Sequence, residues 1–305
     1  MLQGDAGHEG DLKEDSETRG RPVGVAATGS AGDIDPTVLD RPVVLLGRGG
    51  SGTRLLSQLA QDTGIFLGNE INASGDSVEW VQPIYQRAIA RCGGTGADHE
   101  SSESLRDHAR HVLSAADGMK QQLWGWKLPE TMLILPDVLA AFPRARIIHL
   151  LRHPASSSLR RSHMTSRFNN PVGRAVLTAA YREVGRSEKS IERDAEWQHN
   201  AITWLYQVRR VAHICRQLGA ERWLEVRFED LCTTPKTVSA QVTAFLGNTS
   251  EHLAAAAQLE NKIDPARAAG ALEMKDPRAA WVWSLCAPVA EQFGYGATPP
   301  VGEKS

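Results

Sequence analysis

The chain has 305 residues, 41% of them hydrophobic, and a formal net charge of −2. That length and apolar content fit one large domain or two small ones, and the near-neutral charge excludes a global basic field for nucleic acid. No stretch reaches the roughly 18 apolar residues of a membrane helix, and no basic start followed by an apolar core marks a secretory leader.

Residues 1–40 are dominated by Gly, Asp, Glu, Ser and Thr, with nine acids against three bases, which leaves 31 bases and 27 acids in the rest of the chain. This acidic segment is expected to be disordered. The first strong pattern follows at 42–56. Val43–Leu46 reads as a buried strand, Gly47 to Gly52 as a glycine-rich turn, and Leu55, Leu56, Leu59 and Ala60 repeat with helical spacing before Gly64. Strand, glycine turn and helix N-terminus together cradle phosphate, because glycine lets backbone amides approach an anion and the helix end adds partial positive charge. Ser51 and Thr53 add hydroxyls; Arg48 and Arg54 add charge.

The turn departs from a Walker A loop. Gly47 and Gly52 have the right separation, but Thr53 stands where the phosphate-binding lysine belongs. The best second strand, 146–151, runs into Arg152 rather than an aspartate that would help hold magnesium. The pattern therefore predicts a nucleotide bound without a metal.

Further strands are expected at 122–127 and 222–227. Helices are expected at 53–63, 78–91, 103–117, 131–142, 154–166, 174–186, 191–218, 235–246 and 279–293, with a polar loop at 92–104. This alternation predicts an α/β fold: a single domain whose central parallel sheet carries helices on both faces. Ligands in such sheets sit at the carboxyl ends of strands, where Gly47 onward, Lys127 and Arg152 all fall. Cys92, Cys215, Cys232 and Cys286 form no CxxC pair and read as reduced thiols in a cytoplasmic protein.

Four segments resemble the sulfotransferases that use 3′-phosphoadenosine 5′-phosphosulfate (PAPS). They are Gly49-Gly-Ser-Gly-Thr-Arg54, Trp124-Gly-Trp-Lys-Leu-Pro129, Phe142 to Pro154, and Val226-Arg-Phe-Glu-Asp-Leu231 with Pro235 and Phe245-Leu-Gly247. The resemblance spans about 41–296. It implies a P-loop-like sulfotransferase domain over 41–296, between the acidic segment 1–40 and a flexible tail 297–305. Golgi relatives usually carry a membrane anchor, so the resemblance points to a bacterial cytoplasmic member. It implies sulfuryl transfer from PAPS to a hydroxyl or amine of a carbohydrate or small metabolite, giving 3′,5′-bisphosphoadenosine (PAP), with no metal required and no nucleic-acid partner.

Carried over residue by residue, the resemblance assigns Gly49, Gly50, Ser51, Gly52, Thr53 and Arg54 to the 5′-phosphosulfate, and Arg152 to the 3′-phosphate. Where relatives add a serine eight residues after that arginine, this chain has Arg160, flanked by Ser158 and Ser162. Relatives place a cation directly before Ser-Gly-Thr; here Gly50 stands there, and Arg48 is the candidate replacement. Lys127 is expected to face the transferring sulfonate. Glu70, spaced as in tyrosine sulfotransferases, is the candidate base, with Asp76 and Glu79 as rivals; cytosolic relatives use a histidine instead, but here His149 reads as structural, and His153 and His163, which flank the 3′-phosphate turn, rank behind the carboxylates as bases. Two other classes stay open: a P-loop kinase or hydrolase, which magnesium dependence would separate, and a PAP-binding protein without catalysis.

Overall fold

A computed structural model describes residues 34–94, 102–115, 123–247, 263 and 276–297. Four parallel strands form one sheet in the order β2-β1-β3-β4: β1 Val43–Leu46, β2 Gly125–Lys127, β3 Arg146–Leu151 and β4 Trp223–Arg227. The register sets Leu45 opposite Lys127 and Leu46 opposite His149. Side chains alternate across the sheet, and here both faces are apolar. Val44, Leu46, Ile147 and Leu151 enter one core; Val43, Leu45, Ile148 and Leu150 enter the other.

On the second face lie α2 (Thr53–Asp62), through Leu55, Leu56 and Leu59, and α10 (Pro235–Leu246), through Val238 and Val242. The first face receives α5 (Leu135–Ala141), α8 (Glu196–Cys215) and α11 (Pro277–Ala290). Trp80 lies flat on Trp126 at 4.0 Å between ring centres, at the start of α3 (Val81–Gly93). Elements α4 (Ser102–Ser114) and α7 (Pro171–Glu183) complete that layer.

Two expectations change. Pro36–Leu39, placed in the acidic leader by the sequence, forms a short helix α1 capped by the Asp35 carboxylate, and Leu39 is buried in the first core. Folded structure thus begins by Ile34; residues 1–33 and the tail beyond Ala297 lie outside the described residues. The helix expected over 154–166 stops as α6 (Pro154–Ser158) and resumes only as a single turn, Met164–Ser166. The reason lies on α8. The Asn200 amide donates to the Ser158 and Arg160 carbonyls at 3.0 and 3.2 Å, the acceptors a continuing helix needs. Residues 159–163 therefore open into a loop.

Candidate active site

The carboxyl ends of β1, β2 and β3 surround a cleft of about 620 Å³. Its floor is the turn after β1. Gly52 has φ of +97° and serves as N-cap of α2 with no side-chain hydrogen bond, so the first amides of the helix stay available to an anion. The Phe228 ring occupies the place of a Gly52 side chain: a Cβ there would lie 2.2 Å from it. Backbone angle and space both demand glycine.

Six cations line the cleft (Arg54, Lys127, Arg152, Arg160, Arg161 and Arg167) against the carboxylate of Asp76. Lys127 ends β2; its Nζ donates to the Ser74 carbonyl at 2.9 Å and pairs with Asp76. Burial lowers its pKa, and Asp76 opposes that shift. Arg152 follows β3, is almost fully buried, and lies over the Phe228 ring at 4.1 Å. Its carbonyl accepts from Trp204 Nε1 at 3.2 Å.

The turn behind Arg152 is fixed by Glu229, in α9 (Phe228–Thr233). The Glu229 carboxylate accepts from the His153 amide at 3.0 Å and from the Tyr295 hydroxyl at 2.8 Å. His153 Nε2 meets the Gly296 carbonyl at 2.9 Å, and its ring stacks on Trp283. Burial pushes the Glu229 pKa up, against these hydrogen bonds and the charge of Arg152.

Among the residues singled out from sequence, Gly49, Gly50, Gly52, Thr53, Arg54, Lys127, Arg152 and Arg160 border this one cleft. Ser51 is buried outside the lining. Arg48 is turned away from it. Its Nη2 donates to Ser166 Oγ at 2.6 Å, Asn200 Oδ1 at 2.9 Å and Thr203 Oγ1 at 3.2 Å, beneath the loop. Burial lowers its pKa to about 10, so it remains a cation whose hydrogen bonds are spent on α8 and its neighbours. Glu70 is exposed and also outside the lining. The Glu79 carboxylate holds the Asn69 and Glu70 amides at 2.7 and 3.1 Å, which leaves Asp76 as the acid of this segment at the cleft. Sequence reading did not single out Arg167, Met164, Ser74 or Phe228 as lining; the first two follow the broken helix at 159–163. His149 is wholly buried beside Trp223, its ring nitrogens without hydrogen bonds.

A family model described as the sulfotransferase family matches residues 42–251, which covers the turn, Lys127, Arg152 and Phe228. The chain belongs to the sulfotransferase family. It is a sulfotransferase enzyme, and sulfuryl transfer is its chemistry. Among solved structures, this sulfotransferase is similar to the sulfotransferase domain from the Curacin biosynthetic pathway: 19% identity, covering 84% of this chain and 98% of that one, TM-score 0.47. The domain from the Synechococcus PCC 7002 olefin synthase matches at 18% identity, covering 84% of this chain and 95% of that one, TM-score 0.49. A sulfotransferase from Alicyclobacillus acidocaldarius matches at 15% identity, covering 83% and 94%, TM-score 0.46. No curated protein sequence matches the chain. No described helix is long and apolar enough to cross a membrane.

Proposed function

We propose that this sulfotransferase takes the sulfuryl group from PAPS and passes it to a hydroxyl or amine of a carbohydrate or small metabolite, releasing PAP. The observation that carries the reading is the meeting, in one cleft, of an uncapped helix N-terminus behind a glycine turn with a buried arginine at the next strand end. The turn and the first amides of α2 suit the 5′-phosphosulfate, and Arg152 with Arg160 suits the 3′-phosphate. Lys127, kept cationic by Asp76, suits the sulfonate and the leaving phosphate. Sulfuryl transfer spreads negative charge over those oxygens in the transition state, as phosphoryl transfer does. Fixed cations and amides stabilise it, so the donor is held here without a metal.

The four buried thiols support a cytoplasmic setting.

The test is PAP binding in the presence of EDTA. At ligand a hundredfold above Kd, linkage gives about 2.7 kcal/mol of stabilisation. A clear rise in melting temperature with PAP, and sulfated product when PAPS meets pooled acceptors, is expected. A shift with Mg·ATP but none with PAP would favour the kinase or hydrolase class. PAP binding without product from any acceptor would favour a binding protein.

A further inference from the structure

The rim of the cleft holds more positive charge than the donor reading uses. Residues 159–167, where the expected helix opens, border it with Arg160, Arg161, Ser162, His163, Met164 and Arg167. The segment begins just after Arg152 and α6. His163 stands over the turn after β1, where a Cβ on Gly49 would lie 1.8 Å from its ring. Met164 Sδ accepts from the hydroxyl of Tyr85, on α3, at 3.6 Å. Burial first, and then the carboxylates of Glu130 and Asp76, raise the Tyr85 pKa, so this end of the segment lies near the pair of Lys127 and Asp76. The segment thus crosses the mouth of the turn, from the Arg152 side to the Lys127 side.

This crossing is braced at several points. Ser162 Oγ donates to Glu196 Oε2 at 2.8 Å, and Arg167 Nη2 donates to the Ser162 carbonyl at 2.9 Å. Gly173, in the first turn of α7, lets that helix close under the corner: a Cβ there would lie 2.1 Å from the Arg167 carbonyl oxygen and 2.4 Å from that of Met164. Arg160, Arg161 and Arg167 are nonetheless exposed at the cleft. The Arg161 guanidinium has no hydrogen bond or ion pair among the described residues. With Arg54 and Lys127 given to the phosphosulfate and Arg152 and Arg160 to the 3′-phosphate, Arg161 and Arg167 remain. Asp76 is the one carboxylate among the described lining residues, and Lys127 already pairs with it. Cations gathered on one wall of a cleft concentrate anions there.

We propose that the acceptor carries an anion of its own, a carboxylate or a sulfate or phosphate ester, and that Arg161 and Arg167 select it. The inference rests on the donor reading above and narrows its acceptor. The planar fork of arginine takes such groups through two parallel hydrogen bonds, and its charge persists at any working pH. The brace on Arg167 uses Nη2, which leaves Nε and Nη1 for a ligand. Burial, and then the charges of Arg48, Lys127 and Arg167, lower the His163 pKa to about 3, so Arg167 shares the surroundings of the lysine assigned to the sulfonate. An anion gripped at this rim is remote from the reacting oxygen. It binds equally in the ground state and the transition state, so the selection acts on KM more than on kcat.

The experiment measures initial rates at saturating PAPS for matched acceptors with and without the anion. The pairs are methyl β-glucuronide and its carboxamide, 4-hydroxyphenylacetate and its amide, and N-acetylglucosamine 6-sulfate and N-acetylglucosamine. The anionic member of at least one pair is expected to have a kcat/KM about 10–100-fold higher, chiefly through KM. The first two pairs report a carboxylate and the third an ester, so the pair that responds names the anion. Arg161→Gln and Arg167→Gln should each cut the preference about tenfold, and Arg161→Lys should keep part of it. PAP affinity within about threefold of wild type shows that each variant folds, and Arg161→Gln, which breaks no described contact, carries the test if Arg167→Gln does not. Raising the ionic strength from about 0.05 to 0.5 M should shrink the wild-type preference. Equal use of both members of every pair, preference for the neutral members, or product from no compound overturns the anionic acceptor. A preference that survives both glutamine variants overturns Arg161 and Arg167 as its source. Failure of the wild-type protein to bind PAP is a different result: it overturns the donor reading itself.

Discussion

Replacing Arg152 by alanine separates recognition of the 3′-phosphate from everything else in the cleft. The guanidinium is 1% exposed and held over Phe228, so it meets a ligand from a fixed, dry position. Two charge-assisted hydrogen bonds at about 1.5–3 kcal/mol each set a range of roughly 3–6 kcal/mol. Arg160, in the same cleft, recovers part of this, so about 3 kcal/mol, or roughly a hundredfold in Kd, is expected for PAP. Adenosine 5′-monophosphate lacks the 3′-phosphate and should lose less than about threefold. Calorimetric titration of both ligands against both proteins gives the difference directly. The variant also loses a cation over Phe228, worth about 0.5–2 kcal/mol of fold stability, so its melting temperature should fall modestly and serve as a folding control. Equal losses for the two ligands would refute the assignment.

Arg48→Ala removes the buried donor to the Asn200 side-chain oxygen and to the Ser166 and Thr203 hydroxyls, which keep their bond to each other. It should cost roughly 2–4 kcal/mol in urea denaturation, and an unchanged midpoint would contradict the buried network. Glu70→Gln should keep kcat within about threefold of wild type, since the carboxylate is exposed outside the cleft; a loss of about 10²-fold or more would return Glu70 to the role of base. His149 sets an acid limit on stability. Burial lowers its pKa to about 3, so the unfolded chain binds a proton that the folded chain refuses, and stability falls as pH drops below 6.5. Between pH 7 and pH 5 this one group should remove about 2 kcal/mol, and His149→Leu should remove that slope; parallel urea curves for the two proteins at both pH values would refute it.

The sheet and the phosphate turn were legible because their signals are local. Val43–Leu46 and residues 147–151, His149 apart, are apolar on both faces, as central parallel strands are, and Gly52 announces its turn through backbone freedom alone. Arg152 was legible because a charge directly after a buried strand must emerge at the sheet's carboxyl edge. The direction of Arg48 was not. Its partner Asn200 lies 152 residues away, and nothing near the loop reveals an amide waiting beneath it. The same Asn200 ends the helix expected over 154–166 by taking its carbonyls. Glu70 and Asp76 are six residues apart in one turn-rich segment, and spacing along the chain does not say which of them faces inward. Only the fold, with Glu79 holding the Glu70 amide and Lys127 drawing in Asp76, separates them.

The link from Glu229 to Tyr295, and from His153 to Gly296, has a consequence for how the protein is born. The chain grows from its N-terminus, so the turn after β1 and the strand leading to Arg152 leave the ribosome early. The carbonyl that meets the His153 ring lies 143 residues later. At about 5–20 residues per second, roughly 7–30 s of synthesis separate Arg152 from the segment that braces its turn. During that interval the growing chain has a glycine turn and an arginine without their final support. The brace behind Arg152 is therefore among the last parts of the cleft the polypeptide completes, and a ribosome stalled shortly before Tyr295 leaves all four strands made with the turn after β3 unbraced.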